Sequence, residues 1–336
     1  TVLWAPVDNG APDTVDASGA LAVPGVLKVM PLHDGVGVVA ETVEAAFAGR
    51  DALKATWKPL PADRYSSAAG LKEFLARAAK TEDKGASFLA KGDADQAFAK
   101  AAKVVSADYS SAYVYHAQME PLNVTASVDP KGGGAEVWIG TQGVTPTVLT
   151  TAGVLKIKPQ DVKIHPYYLG GGYGRRSPAD WVPDALFMSK AMQRPIKLIW
   201  TREQDVKSAK MRPMTAHRIE AALDGDGNVV GWRHRIVGES VVAYRGGEKA
   251  LEHAKGIDGI VLEGSKHEYA VPNQAIAYLR EERGVGLSAW RGIGAGYNKF
   301  VIESFIDELA TERKVDPVAF RLGLLKSEPR ATAVVK

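Results

Sequence analysis

The chain has 336 residues, 46% of them hydrophobic, which is enough for a sizeable core and about two domains by length. Its 42 basic and 39 acidic residues nearly cancel to a net charge of +3, and neither Arg175–Arg176 nor Arg233–His234–Arg235 amounts to a polybasic tract, so nothing indicates a nucleic-acid partner. The absence of cysteine excludes disulfides, thiolate zinc sites and cysteine-ligated iron–sulfur clusters on this chain, and no apolar run reaches the ~18 residues of a membrane span.

In chain order, the β-branched runs Val26–Met30 and Val36–Ala40 predict strands across the turn His33–Asp34–Gly35, followed by a helix from Glu44 to Leu53. Two prolines and a lack of periodicity make Lys58–Arg64 a linker. Beyond it, Leu71, Phe74 and Leu75 line one face of a helix capped by Ser66 or Ser67, and Asp93 to Ala101 predicts another. Strands are expected at Val104–Tyr109, Val124–Val128, Glu136–Ile139, Val162–Tyr168 and Ile196–Trp200, with helices at Val144–Val154 and Pro183–Met192. His217–Leu223 and Val229–Ile236 form a hairpin across Asp224–Gly225–Asp226–Gly227. Ile302, Phe305, Ile306 and Leu309 recur at helical spacing within a helix at Asn298–Glu312. The class is α+β, with a small α/β module at residues 1–60 and a larger α+β domain at 61–336.

Four segments have the residue types that chemistry needs. Leu169–Gly170–Gly171–Gly172–Tyr173–Gly174–Arg175–Arg176 lies between a strand and a helix. Its glycines allow positive φ and close approach of backbone N–H groups to a ligand, a following helix start would reinforce an anion site, and the two arginines offer forked donors for phosphate. Alone, the segment is equally well read as a tight strand-to-helix turn, and its glycine spacing fits neither a Walker loop nor the GxGxxG fingerprint. Ser288–Ala289–Trp290–Arg291–Gly292–Ile293–Gly294 precedes the last long helix and places an arginine where it can reach an anion, although on its own it reads first as a capped turn. Gln142, at the end of a strand, has an amide that can donate to an oxo group, but a lone glutamine is ordinarily a solvated loop residue. His116 and Glu120 invite an acid–base reading, with a structural hydrogen-bonded pair as the default. The seven histidines form no zinc motif, and no GxSxG or Cys–His arrangement is present.

Taken in order, these segments resemble the molybdopterin-binding large subunit of the molybdenum hydroxylases (the xanthine oxidase family), in particular the branch that holds the beta chain of isoquinoline 1-oxidoreductase and the membrane-associated aldehyde dehydrogenases. The matching words are His116-x-x-Met119-Glu120-Pro121 with Ala126, Trp138-x-Gly140-Thr141-Gln142, Gly170–Arg176, and Arg194-Pro195-x-Lys197 with Trp200-Thr201-Arg202-Glu203. Arg291-Gly292-x-Gly294, Glu303–Ala310 and Asp316-Pro317-Val318-x-Phe320-Arg321 complete the set. Residues 1–60 resemble the family's "hammerhead" module, and the rest its first molybdenum-cofactor-binding domain.

The resemblance implies molybdenum held by the dithiolene of molybdopterin, as the cytosine dinucleotide, with no protein ligand to the metal. It assigns Gln142 and Arg291 to catalysis, the first as donor to the molybdenum oxo group and the second as a charge beside the cofactor. It assigns Gly171, Gly172, Tyr173, Gly174, Arg175, Arg291 and Gly292 to cofactor binding, and Ser177 and Ile293 to the substrate pocket. Gly170–Gly174 and Arg291–Gly294 are expected to approach one cleft. The implied reaction hydroxylates an electron-poor carbon with oxygen from water, assisted by a general base, and its electrons leave through iron–sulfur clusters on a partner subunit.

Ser177 stands where relatives acting on purines have an acidic residue, which points away from purines and toward an aldehyde or a small aromatic N-heterocycle. Those two substrate classes are not separated by the sequence. The Gly-Gln-Gly-type segment expected upstream and the C-terminal Gly-x-Gly-Glu segment with the base are not found, and the chain starts at Thr1 without an initiator Met. The chain is therefore expected to be one part of a longer protein or assembly, whose further chain or segment supplies the remaining molybdopterin-binding domain and the base Glu. A non-catalytic molybdopterin-binding or scaffold fragment is the reading from a different class. The location is left open, the resemblance alone favouring a periplasmic or membrane-associated one over the cytoplasm.

Overall fold

The alternation of apolar and polar residues in Asn123–Val128 and Ala135–Ile139 puts Val124, Ala126, Val128, Val137 and Ile139 on one buried face. These strands are the centre of a four-stranded sheet in the computed structural model, which describes residues 1–336 apart from the side chain of Arg64. Ile196–Ile199 pairs antiparallel with Asn123–Val128, which pairs antiparallel with Ala135–Ile139, and Val162–Pro166 adds in parallel at the far edge. The parallel pairing requires a crossover, and the helix Val144–Leu155 supplies it.

The chain divides into two compact units. The first gathers residues 1–64, 115–211 and 284–290, and the second gathers residues 65–114, 212–283 and 291–336. In the first unit, the helix Val182–Met192 covers the sheet, so Trp181, Leu186 and Met188 join Leu198 and Trp200 in the core. Val2, Met30 and Val39 belong to the same core. They come from a three-stranded sheet ordered Val2–Trp4, Gly35–Ala40, Val26–Pro31, beside the helix Val43–Ala52.

The second unit is built on a five-stranded sheet ordered Ala86–Lys91, Asn273–Glu281, Val229–Glu239, Thr215–Leu223, Lys103–Ser111. The expected hairpin pairs His217 with Ile236, and its turn is closed by Asp224, whose Oδ1 accepts from the N–H groups of Asp226 and Asn228. Successive residues face opposite sides. Ala216 and Val237 pack with Phe74 of the helix Ser67–Ala79, while Ile219 and Ala221 pack with Ile302, Phe305 and Leu309 of the helix Ala295–Glu312. His217 and His234 are fully buried, 3.0 Å apart through Nδ1 and Nε2, and burial pushes His217 down to about 3, so both are neutral. Among the described residues no helix is long and apolar enough to cross a membrane.

Candidate cofactor site

The strand Ala135–Ile139 ends one residue before Gly140, so Thr141 and Gln142 leave the sheet at its C-terminal edge. The parallel neighbour Val162–Pro166 ends at the same level and leads into Gly170–Arg176. Two strand ends therefore bring Gln142 and the glycine loop together, and their contact is close. A Cβ on Gly172 would lie 2.3 Å from Gln142 Oε1 and 2.7 Å from its Cδ. Gln142 Oε1 accepts the Gly174 N–H at 2.9 Å and lies 3.4 Å from that of Arg176. With the carbonyl end of the amide thus held, the two Nε2 hydrogens are left for another acceptor.

The loop backbone is bent tightly. Gly171 and Gly174 have φ of +89° and +104°, and Tyr173 takes +53°, a region uncommon for a residue with a side chain. Neither Gly171 nor Gly172 has its N–H taken by an acceptor among the described residues, although Gly172 is buried. Gly174 leaves no room on its open side, because a Cβ there would lie 2.1 Å from the Ala289 carbonyl oxygen. The segment just before Arg291 therefore packs on the glycine loop, and His116 Nε2 meets the same Ala289 oxygen at 3.0 Å.

Arg175 and Arg176 depart from their expected role as phosphate donors. Both side chains are fully buried. Arg175 makes a two-pronged ion pair with Asp180 at 2.6 and 3.1 Å and lies over the Trp181 ring. Burial acts to raise the Asp180 pKa, but Arg175 outweighs it and holds the carboxyl below its ordinary value. Arg176 donates to the carbonyls of Glu120, Pro121, Gly140 and Gly171 and to the Glu120 carboxylate. Nor does a helix start at the loop, since the helix begins at Val182 with Trp181 as N-cap. What the loop presents outward is backbone rather than guanidinium. Ser177 is half-buried, and its N–H donates to the Gly174 carbonyl at 3.3 Å.

His116 and Glu120 do not form the pair expected by default. His116 turns to Ala289, and Glu120 to Gly170, Asn123 and Arg176. Sequence reasoning also passes over Asp205. This buried carboxylate accepts from Gln118 Nε2 at 3.0 and 2.9 Å, from Arg202 Nη1 at 2.9 Å and from the Tyr115 hydroxyl, while Arg202 Nη2 donates to the carbonyls of Gln118 and Met119. The segment 115–120 and the helix Arg202–Lys207 are thereby one polar network.

Arg291, Gly292 and Ile293 belong to the second unit. Arg291 is exposed, Gly292 and Ile293 take φ of +87° and +42°, and the turn is fixed where Gly294 donates to the Ile260 carbonyl at 2.9 Å. A Cβ on Gly294 would lie 2.3 Å from the Val261 carbonyl oxygen, so only glycine fits there. The helix that follows begins at Ala295, three residues earlier than its periodicity indicates. Among the described residues no group of three or more His, Asp or Glu side chains could hold a metal ion directly.

Solved oxidoreductases share this fold. Quinoline 2-oxidoreductase from Pseudomonas putida 86 superposes with a TM-score of 0.72 at 18% identity, over 96% of this chain and 45% of that one. The aldehyde oxidoreductase from Desulfovibrio desulfuricans does so with 0.74 at 19% identity, over 96% and 39%. The molybdopterin cofactor-binding domain matches residues 79–323, and the chain belongs to that family. It is 35% identical to the beta chain of isoquinoline 1-oxidoreductase from Brevundimonas diminuta over 98% of its own length and 43% of the relative's. It is 31% identical to one of the chains of nicotinate dehydrogenase from Pseudomonas putida over 96% and 27%. The chain thus spans less than half the length of these relatives, each of which is named as one component of a larger enzyme.

Proposed function

We propose that this chain is the cofactor-holding part of a molybdenum hydroxylase that oxidises aldehydes or hydroxylates N-heterocycles with oxygen from water, its electrons leaving through an iron–sulfur subunit. The observation that carries this reading is the pose of Gln142. Its carbonyl is pinned by the Gly174 N–H, and its Nε2 donors remain beside a loop whose Gly171 and Gly172 N–H groups have no acceptor among the described residues. Such a set fits a group rich in acceptor oxygens and sulfurs, with a metal held by its own ligand rather than by the protein.

When bound, molybdopterin in its cytosine dinucleotide form supplies the two-electron acceptor. The residues of the chain do the rest. Gln142 Nε2 donates to an oxygen at the reacting centre, and the Gly171 and Gly172 N–H groups take further acceptors. Gly174 and Tyr173 hold the bent backbone that presents them. Arg175 supports this loop from within by its pair with Asp180. Arg291 contributes positive charge toward the cofactor, and the φ of Gly292 shapes the turn after it. Ser177 and Ile293 line the substrate side, where an uncharged serine suits an aldehyde or an aromatic ring. The base comes from a further segment or chain with the remaining molybdopterin-binding domain.

The test is a comparison of the chain alone with the protein assembled with its natural partners. Molybdenum and released cytidine monophosphate are measured together with dye-linked oxidation of an aromatic aldehyde and of isoquinoline. Molybdenum, nucleotide and turnover are expected in the assembly only. An assembly that binds molybdopterin without oxidising either substrate would favour the scaffold reading, and turnover by the chain alone would refute the need for a second domain.

A further inference from the structure

We propose that Glu120 is a positioning residue, which sets the Gln142 amide against the glycine loop by clamping Gly170 and neutralising Arg176. The reading of the cofactor site assigns Glu120 no part. The proposal goes beyond that reading and rests on it only for the catalytic readout.

Glu120 grips Gly170 from both sides. Its N–H donates to the Gly170 carbonyl at 3.0 Å, and its Oε2 accepts the Gly170 N–H at 2.9 Å. The approach is so close that a Cβ on Gly170 would lie 2.5 Å from the Glu120 Cβ. Asn123 Nδ2 donates to Oε1 at 2.8 Å and fixes the carboxylate plane, and the Tyr167 hydroxyl in turn fixes Asn123 at 2.7 Å.

The same Oε2 accepts Arg176 Nη2 at 2.9 Å. Arg176 is the hub of the site. Its Nη1 donates to Gly140 at 3.1 Å and its Nε to Gly171 at 3.0 Å, so one guanidinium spans the segment before Gln142 and the loop facing it. Its own carbonyl accepts the Gln142 N–H at 3.2 Å and the Thr141 hydroxyl at 3.1 Å. From Glu120 to the Gln142 amide there are thus two routes, one through Arg176 and one through Gly170 and the loop to Gly174. Among the described residues Glu120 is the one carboxylate paired with this buried guanidinium. Without it the charge is left uncompensated, and Arg176 must seek water or another partner, taking the carbonyls of Gly140 and Gly171 with it.

A purely structural ion pair would stabilise the protein and do nothing more, so the test separates the two. In the full-length protein with its partners, Glu120→Gln keeps shape and acceptor oxygen but removes the charge, and Glu120→Asp keeps the charge but shortens the reach. Glu303→Gln is the control, because it removes the carboxylate of another arginine pair, Glu303–Arg321 at 2.9 Å. Amide hydrogen exchange at residues 170–176 is read on molybdenum-free protein, and kcat and KM on the loaded enzyme.

We expect exchange at 170–176 to rise at least about tenfold in Glu120→Gln, since opening of a clamped loop is what exchange reports. We expect kcat to fall at least about tenfold with KM within about twofold, because a displaced donor fails in the transition state rather than in binding. Glu120→Asp is expected to fall between this variant and the wild type, and Glu303→Gln to change thermal stability alone. Wild-type loop exchange in a folded Glu120→Gln protein overturns the proposal. So does wild-type kcat, and so does a fall in melting temperature without a loop-specific change. If Glu120→Gln does not fold, wild-type exchange in Glu120→Asp overturns it equally. Failure of the functional reading shows differently, as a wild-type assembly that holds no molybdenum, and leaves the exchange comparison intact.

Discussion

Gln142 and Gly172 are in contact so close that a methyl group on Gly172 would sit 2.3 Å from the Gln142 side-chain oxygen. Glycine at 172 and the pose of the Gln142 amide are therefore a single requirement. The constraint is one of room, since Gly172 is not among the residues with positive φ.

Gly172→Ala should accordingly be enough to push the Gln142 amide off its anchor, and Gly172→Val more so. The atoms displaced are the far end of an exposed, flexible side chain, so the fold should survive the change and the loss should fall on the amide pose. The expected outcome is a folded protein with reduced molybdenum per chain, measured by plasma mass spectrometry alongside circular dichroism. Full molybdenum occupancy in Gly172→Val would sink the idea that this loop touches the cofactor.

Gln142 performs two tasks that substitution can separate. Gln142→Ala loses both the anchor to Gly174 and the outward donor. Gln142→Glu keeps an acceptor for the Gly174 N–H but has no donor while ionised. Loss of a preorganised donor costs about 2.7–4 kcal/mol of barrier, so both variants should lose roughly 10²–10³ in kcat. Only Gln142→Ala should loosen amide exchange at Gly174. Arg291→Ala should also lower kcat, by removing a charge at the cofactor. Unchanged turnover in the Gln142 variants and in Arg291→Ala, at normal molybdenum content, would count against these roles.

Asp180→Asn tests the ion pair beneath the loop, which is buried on its Arg175 side. It leaves the Arg175 guanidinium, whose side chain is 0% exposed, without its counter-charge. Breaking a buried pair from one side costs about 3–5 kcal/mol, and partial exposure of Asp180 places the expected loss toward the lower end. Urea unfolding at neutral pH measures it. A variant as stable as the wild type would mean that Arg175 finds water or another acceptor at no cost.

Glu239 gives a pH signature in the second unit. Its carboxylate accepts from the Tyr113 hydroxyl and from the Arg283 N–H at 2.9 Å, but burial dominates and pushes its pKa from 4.5 up to about 7. The folded state thus holds a proton that the unfolded chain releases. The stability it gives is fully present below about 4.5 and is lost as the pH rises through about 7. Glu239→Gln removes this dependence. It should be more stable than the wild type at pH 8, by up to roughly 3 kcal/mol, and nearly equal to it at pH 4.5. Parallel stability profiles for the two proteins across that range would rule out a neutral buried carboxyl at 239.

Much of the fold is legible in the sequence, for reasons that particular residues show. The hairpin at His217–Ile236 follows from alternation and an Asp-Gly turn, both local signals. The expected helix at Val144–Val154 is found at Val144–Leu155 for the same kind of reason. The strand Asn273–Glu281 escapes such a reading, because Gln274 is one of its inward residues and breaks the apolar pattern. The helix Val241–His253 escapes it too, since Gly246 and Gly247 interrupt it and Gly247 is non-helical.

At the site, residue types point to Gln142 and the glycines, but not to what the neighbouring charges do. Arg175 and Arg176 look like phosphate donors until Asp180 and Glu120 are seen to take them. Asp180 is five residues along the chain from Arg175 and Glu120 fifty-six from Arg176. No local pattern distinguishes a guanidinium turned inward from one turned outward.

The passage of the chain back and forth between its two units bears on how the protein is made. The first unit takes its last strip, residues 284–290, from late in the sequence, and the Ala289 carbonyl packs directly against Gly174. A growing polypeptide that has just emerged past Gly174 must therefore wait while more than a hundred further residues are translated, on the order of ten seconds at about 5–20 residues per second. Until Ala289 leaves the ribosome, the loop has only its own half of the fit, exposed to whatever its surroundings hold.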